Sequence, residues 1–253
     1  MKTAAPIPNN PVDLPVSVSA PVSVPVPVSV PVPVSVPVSV PVPVSVPRAR
    51  ARASLVLLVL AACTPQGDPG IASGFSDDFD RTQLGNAYKK TGGNWRIEGG
   101  ELHVKGAKNH PLWLLRTLPR DVRVEFDVRS ESPEGDIKVE VFGDGASHAK
   151  HDSYAATSYV IIFGGWNNSQ NVLARMDEHG DDRVVGKARK VEPGVAYRFR
   201  IERIGGTLTV WVDEDILLKM DDSEPLEGRG HDHFGFNNWQ SDLWFDNLKV
   251  TPL

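Results

Sequence analysis

Downstream of residue 120, apolar and charged residues take turns along the chain. Val122, Val124, Phe126 and Val128 alternate with Arg123, Glu125, Asp127 and Arg129. A period of two puts one set on each face of an extended strand. Ile137, Val139 and Val141 repeat the pattern around Lys138 and Glu140, and Tyr197, Phe199 and Ile201 repeat it around Arg198, Arg200 and Glu202. Gly205-Gly206 then marks a hairpin, after which Leu208, Val210 and Val212 resume the alternation. Leu243, Phe245, Leu248 and Val250 supply a closing strand. No segment sustains a helical period. The pattern predicts an all-β domain over residues 76–253, a jelly-roll sandwich of two antiparallel sheets.

The upstream residues are of another kind. Residues 1–47 hold 13 of the 21 prolines, in runs such as PVSVPVPVSV. Proline at that density removes the donors a valine-rich strand would need, so a low-complexity leader without a core is expected. Over residues 48–62, Arg48, Arg50 and Arg52 precede the apolar run Leu55–Leu60 and then Ala61-Ala62. That is the build of an export signal, and the run is far short of the roughly 20 residues that span a bilayer as a helix. A signal so far from Met1 points to Val46 as the true start of translation. Leu60-Ala-Ala-Cys63 resembles the lipobox of bacterial lipoproteins, with Cys63 the sole cysteine. The resemblance implies acylation of Cys63, a polar tether over residues 63–75, and a lipid anchor in the cell envelope. Thr64 in place of aspartate implies the outer membrane.

Charge narrows the partners. The chain has 27 basic and 32 acidic residues, and four of the basic but one of the acidic ones precede Cys63, which leaves the exported part at −8. Nucleic-acid binders present basic stripes, so that class is disfavoured. A neutral ligand, or one held through a cation, fits better.

Phe79-Asp80, Asn94-Trp-Arg-Ile-Glu-Gly-Gly-Glu-Leu102, the hairpin Tyr197–Asp213 and the closing pair Phe234–Trp239 and Leu243–Val250 together resemble concanavalin A-like lectin and glucanase domains. The nearest family by this resemblance is the 3-keto-disaccharide hydrolase-like one, from whose strand pattern Gly135–Phe142 departs. The resemblance implies a jelly roll with a saccharide ligand.

Two near-identical phrases, FGGWNNSQ at Phe163–Gln170 and FGFNNWQS at Phe234–Ser241, carry the first candidate site. Indole faces and amides together suit sugar C–H faces and hydroxyls, which nominates Trp166, Asn167, Asn168, Asn237, Asn238 and Trp239. Arg175, Asp177, Glu178 and His179 form a dense polar cluster able to supply a general acid and base, with Arg175, Asp177 and His179 expected on one strand face. Acidic Asp181 and Asp182 fit a hairpin turn around Gly180. His231 and His233, with His179, have the residue types of a zinc site. Glu125 and Asp127 make an incomplete glucanase triad, because Arg129 takes the third place and only Glu140 could stand in for it. Asp78, Asp80 and Asp246 are candidates for a structural calcium ion, as the resemblance implies. The expected function is a lipid-anchored, exported carbohydrate-binding module. A saccharide-active enzyme, of glycoside or 3-keto-glycoside hydrolase type, and a structural or protein-binding envelope lipoprotein are the alternatives. The oligomeric state is left open by the sequence.

Overall fold

A computed structural model describes residues 70–150 and 154–253; the leader, the signal and Cys63 lie outside the described residues. The described chain is a sandwich of two antiparallel sheets. In chain order the strands are β1 (Phe75–Asp77), β2 (Tyr88–Lys90), β3 (Arg96–Glu98), β4 (Glu101–Lys105), β5 (Leu112–Leu114), β6 (Val122–Ser130), β7 (Ile137–Gly143) and β8 (Tyr159–Gly164). They continue with β9 (Gln170–Arg175), β10 (Val184–Val185), β11 (Ala196–Ile204), β12 (Thr207–Val212), β13 (Asp215–Asp221), β14 (His233–Asn237) and β15 (Asp242–Pro252). One sheet runs β13-β12-β11-β6-β15-β4-β3, with β1 also paired to β15; the other runs β10-β9-β8-β7-β14-β5-β2. The alternation at 122–128, 137–141, 197–201 and 208–212 thus falls on β6, β7, β11 and β12, as expected.

The inward residues of both sheets meet in one core. Val124, Phe126, Phe199 and Phe245 come from the first sheet, and Val139, Ile161, Phe163, Phe234 and Phe236 from the second. Phe126 sits at the centre, stacked on Phe199 at 5.1 Å and edge-on to Phe236 at 5.8 Å. Burying each such ring contributes roughly 1.5–3 kcal/mol, so the core accounts for the sandwich without any disulfide.

The two sheets differ in what lies behind them. On the first, the outward residues form ladders of opposite charge open to water, such as Arg198 beside Asp127 at 3.0 Å. On the second, every residue of β7 and β8 is buried. Its outer face is covered by the β4–β5 loop, the β7–β8 loop and the turn after β9, which deliver Asn109, Tyr154 and Glu178 onto it. Lys138 and Glu140 read as solvent-facing from the alternation; the loops bury them instead.

Trp113 is part of that cover. Its indole lies across β7 and β14 where both carry glycine, and its Nε1 donates to Ser147 O at 3.1 Å. A Cβ at Gly143 would lie 2.7 Å from Trp113 Cζ3, and one at Gly235 2.8 Å from Cε3. Gly143→Ala therefore displaces a fully buried indole and is expected to cost about 1–3 kcal/mol. Urea denaturation measures it, and an unchanged midpoint would show that the indole has room to move.

Candidate functional site

The loop-covered face of the second sheet carries a polar floor. Lys138 Nζ donates to Glu178 Oε2 at 2.7 Å and to Asn109 Oδ1 at 3.0 Å. Two residues along the same face, Glu140 accepts from Asn237 Nδ2 at 2.6 Å, Ser158 Oγ at 2.5 Å and Tyr154 Oη at 2.9 Å. Burial pushes the Glu140 carboxyl up to about 7, even though the hydroxyls of Ser158 and Tyr154 and the charge of Lys138 pull the other way. A carboxylate so placed gains its stability from donors aimed at it, and the sheet supplies them from β14 and from the β7–β8 loop.

Both tryptophan phrases lie at one end of this floor. β7 pairs with β8 on one side and β14 on the other, with Ile137 opposite Phe163 and Lys138 opposite Asn237. The phrase after β8 and the phrase ending β14 therefore flank the start of β7. Their backbones differ. Gly165–Asn168 closes one turn, with Ser169 N bonded to Gly165 O at 2.9 Å, and Trp166, Asn167 and Asn168 have φ of 50°, 57° and 59°. Asparagine tolerates that left-handed region, whereas a tryptophan there is strained. The second phrase has no positive φ at all among its asparagines and tryptophan. The repeated words are not a repeated structure.

The asparagines divide by role. Asn168 is buried and bonds Val191 O at 2.7 Å, Val191 N at 2.8 Å and Pro133 O at 3.1 Å. Asn237 holds Glu140, and Asn238 bonds Ala107 N at 2.8 Å and Ser241 O at 2.7 Å. Those three amides serve the scaffold. Asn167 is exposed, and Trp166 and Trp239 are half-buried. Trp166 meets the His179 ring edge-on at 5.6 Å.

One residue joins the two phrases, and the sequence pattern alone does not single it out. Asp136 N donates to Gly164 O at 2.9 Å, and the Asp136 carboxylate accepts the backbone N–H of Trp239. Its Oδ2 is closed off from solvent and has no hydrogen-bond partner. Burial raises its pKa, with Glu178 adding to the rise and Lys138 and the Trp239 N–H opposing it. Asp136 has a φ of 58° and follows Gly135, whose φ is 69°. A Gly-Asp pair just before an alternating strand is the one signal the sequence offers for it.

The remaining candidates are dispersed. β9 stops at Arg175, so Asp177, Glu178 and His179 lie in a turn rather than on the expected strand face. Arg175 faces Asp222 at 3.0 Å, Asp177 Oδ1 caps His179 N at 2.9 Å, and only Glu178 reaches the floor. His231 and His233 stand before and at the start of β14, at the opposite end of that strand from Trp239 and hence from His179. Glu125 and Asp127 face out of the first sheet toward Arg198, while Glu140 belongs to the second. Asp78 accepts from Asp80 N at 3.2 Å. The Asp246 carboxyl is raised by burial and then by the charges of Glu101, Asp127 and Asp78. No group of three or more histidine, cysteine, aspartate or glutamate side chains fit to hold a metal occurs among the described residues.

With this geometry in view, the relatives can be placed. A family model described as Farnesoic acid 0-methyl transferase matches residues 122–249, half of the chain. The chain belongs to that family. The matched span of this family member runs from β6 into β15 and takes in Asp136, both tryptophan phrases and the polar floor except Asn109. No curated protein matches the chain. Among solved structures, it is similar to a Bacillus subtilis protein of unknown function with a galectin-like fold, at 12% identity and a TM-score of 0.55, covering 70% of this chain and 94% of that one. It is also similar to the carbohydrate recognition domain of Emp47p, at 13% identity and a TM-score of 0.53, covering 71% and 94%. At such identities the likeness speaks for the fold, and the fold of this family member is the concanavalin A-like jelly roll.

Proposed function

We propose that the domain binds carbohydrate at the end of the second sheet, between the two tryptophan turns. The observation that carries this reading is their convergence on Asp136. Two turns, each bearing a half-buried tryptophan, bond to Asp136 through their backbones, Gly164 O accepting its N–H and the Trp239 N–H meeting its carboxylate. The first turn adds exposed Asn167 and the Trp166 contact with His179. Indole faces take sugar C–H groups, and the exposed Asn167 amide takes hydroxyls. The strained backbone of Trp166 supports a binding role, since packing alone rarely requires a tryptophan with positive φ. Likeness in fold to a domain named for carbohydrate recognition supports it further. The family description names methyl transfer to farnesoic acid, and that activity is the outcome that would oppose this reading.

Titration calorimetry against a panel of neutral oligosaccharides tests the reading. Trp166→Ala is expected to weaken binding by about 30-fold or more, as loss of a central aromatic anchor does. An unchanged affinity in both Trp166→Ala and Trp239→Ala, or methylation of farnesoic acid by the purified protein, would overturn it.

Export and anchoring belong to the same proposal. The Leu60–Cys63 pattern supports acylation of Cys63, with the tether carrying the domain off the envelope surface. Cys63→Ser should release the protein from the membrane fraction.

A further inference from the structure

Away from the tryptophan turns, two histidines are held side by side on different loops. His110 lies near the end of the β4–β5 loop and His148 lies in the β7–β8 loop, with ring centres 5.3 Å apart and planes inclined by 31°. His110 Nδ1 lies 2.9 Å from Ala107 O, and His148 Nδ1 lies 3.1 Å from Ala146 O. A carbonyl oxygen only accepts, so each Nδ1 carries the hydrogen and each neutral ring keeps its lone pair on Nε2. Neither Nε2 has a hydrogen-bond partner among the described residues.

The loops are built to keep the rings there. Ala149 N donates to Asn109 O at 2.8 Å, so a backbone bond links the residues next to the two histidines. The His110 loop is fastened further by Lys108 N to Trp239 O at 2.9 Å and Ala107 N to Asn238 Oδ1 at 2.8 Å. Asp144 Oδ1 accepts Ala146 N at 2.8 Å and Ser147 N at 2.7 Å, which sets the loop that carries His148. Behind His110 the chain has Gly92, where a Cβ would come within 2.8 Å of the ring Cγ. The space for this imidazole thus depends on glycine. On the other side, His148 borders an open pocket with Lys150 and Tyr154.

We infer that His110 and His148 bind one divalent transition-metal ion of the zinc class through their Nε2 atoms. Metal-ligating histidines commonly give their other ring N–H to a carbonyl, which fixes tautomer and aim. Two imidazoles on one tetrahedral ion, with metal–nitrogen bonds of about 2.0–2.1 Å, have ring centres about 5 Å apart, close to the spacing here. No third protein ligand converges on the pair among the described residues, so solvent or a bound ligand completes the coordination. The ion joins the β4–β5 and β7–β8 loops, both of which cover the polar floor. It stands whether or not the tryptophan turns bind sugar.

The test is zinc chloride titrated into the purified protein in competition with a chromophoric chelator, alongside thermal melts. One ion per chain is expected, with a rise in melting temperature from binding to the folded state alone. His110→Ala and His148→Ala should each weaken binding at least tenfold and abolish the rise, and Gly92→Ala should do the same by displacing the His110 ring. Circular dichroism of the variants separates a lost site from a lost fold. No binding by the parent protein overturns the inference, as does full-strength binding by either folded histidine variant.

Discussion

Replacing Glu178 with alanine is expected to destabilise the domain by about 3–5 kcal/mol, because it leaves a buried ammonium without the one carboxylate bonded to it. The Lys138 side chain is 3% exposed, and Glu178 and Asn109 are its hydrogen-bond acceptors. Asn109 supplies a dipole but no charge. For a domain of this size that loss is roughly a 10 °C fall in melting temperature. The control is the double replacement Lys138→Met with Glu178→Leu, which removes both charges and should return to within about 1–2 kcal/mol of the parent protein. If Glu178→Ala alone is nearly neutral, Lys138 escapes to water and the floor is looser than its geometry indicates.

Glu140→Gln should flatten the pH dependence of stability between pH 5 and 7. The carboxyl titrates at about 7 in the fold against an ordinary 4.5. The folded chain then holds a proton that the unfolded chain has released, so stability falls as pH rises through that interval. The fall is on the order of 3 kcal/mol. Asp77, Asp144, Asp222 and Asp242 act elsewhere on the scale. Burial pushes each up, but their hydrogen bonds hold all four below the ordinary 3.8. Their contribution is present above that value and lost as pH falls through the lowered range. Greatest stability is expected in mildly acidic solution. Urea melts at pH 5, 6, 7 and 8 give the slope, and an equal slope in the parent protein and Glu140→Gln would assign it to another group.

The sandwich was legible because β6, β11 and β12 each have one dry and one wet face, and a period of two records that directly. The same period misleads at β7. Lys138 and Glu140 alternate with apolar residues as they would on a solvated strand, and nothing local tells that loops from 29, 14 and 40 residues away will cover them. The tryptophan phrases were legible as a surface feature, yet their asparagines were not. Asn168 and Asn238 have the composition of a binding patch and the work of backbone staples, and Asn237 serves the buried Glu140 carboxyl, a difference fixed by tertiary neighbours. The turn holding Asp177 and His179 reads as strand because alternating polar residues satisfy that pattern equally well. Asp136 owes its place to long-range pairing on both sides, which a linear reading does not contain.

The span of the contacts in the polar floor sets an order of assembly. Glu140 is tied to Asn237 across 97 residues of chain, and the β4–β5 loop is pinned by Asn238, 131 residues from Ala107. Closure over such distances is slow and follows the local hairpins. During synthesis, strands β6 to β9 emerge before Asn237 can reach Glu140, and the β4–β5 loop lacks its anchors at Asn238 and Trp239 until β14 leaves the ribosome. A nascent chain truncated before Phe234 should therefore leave the β4–β5 loop unanchored and open to protease, whatever its secondary structure has already become.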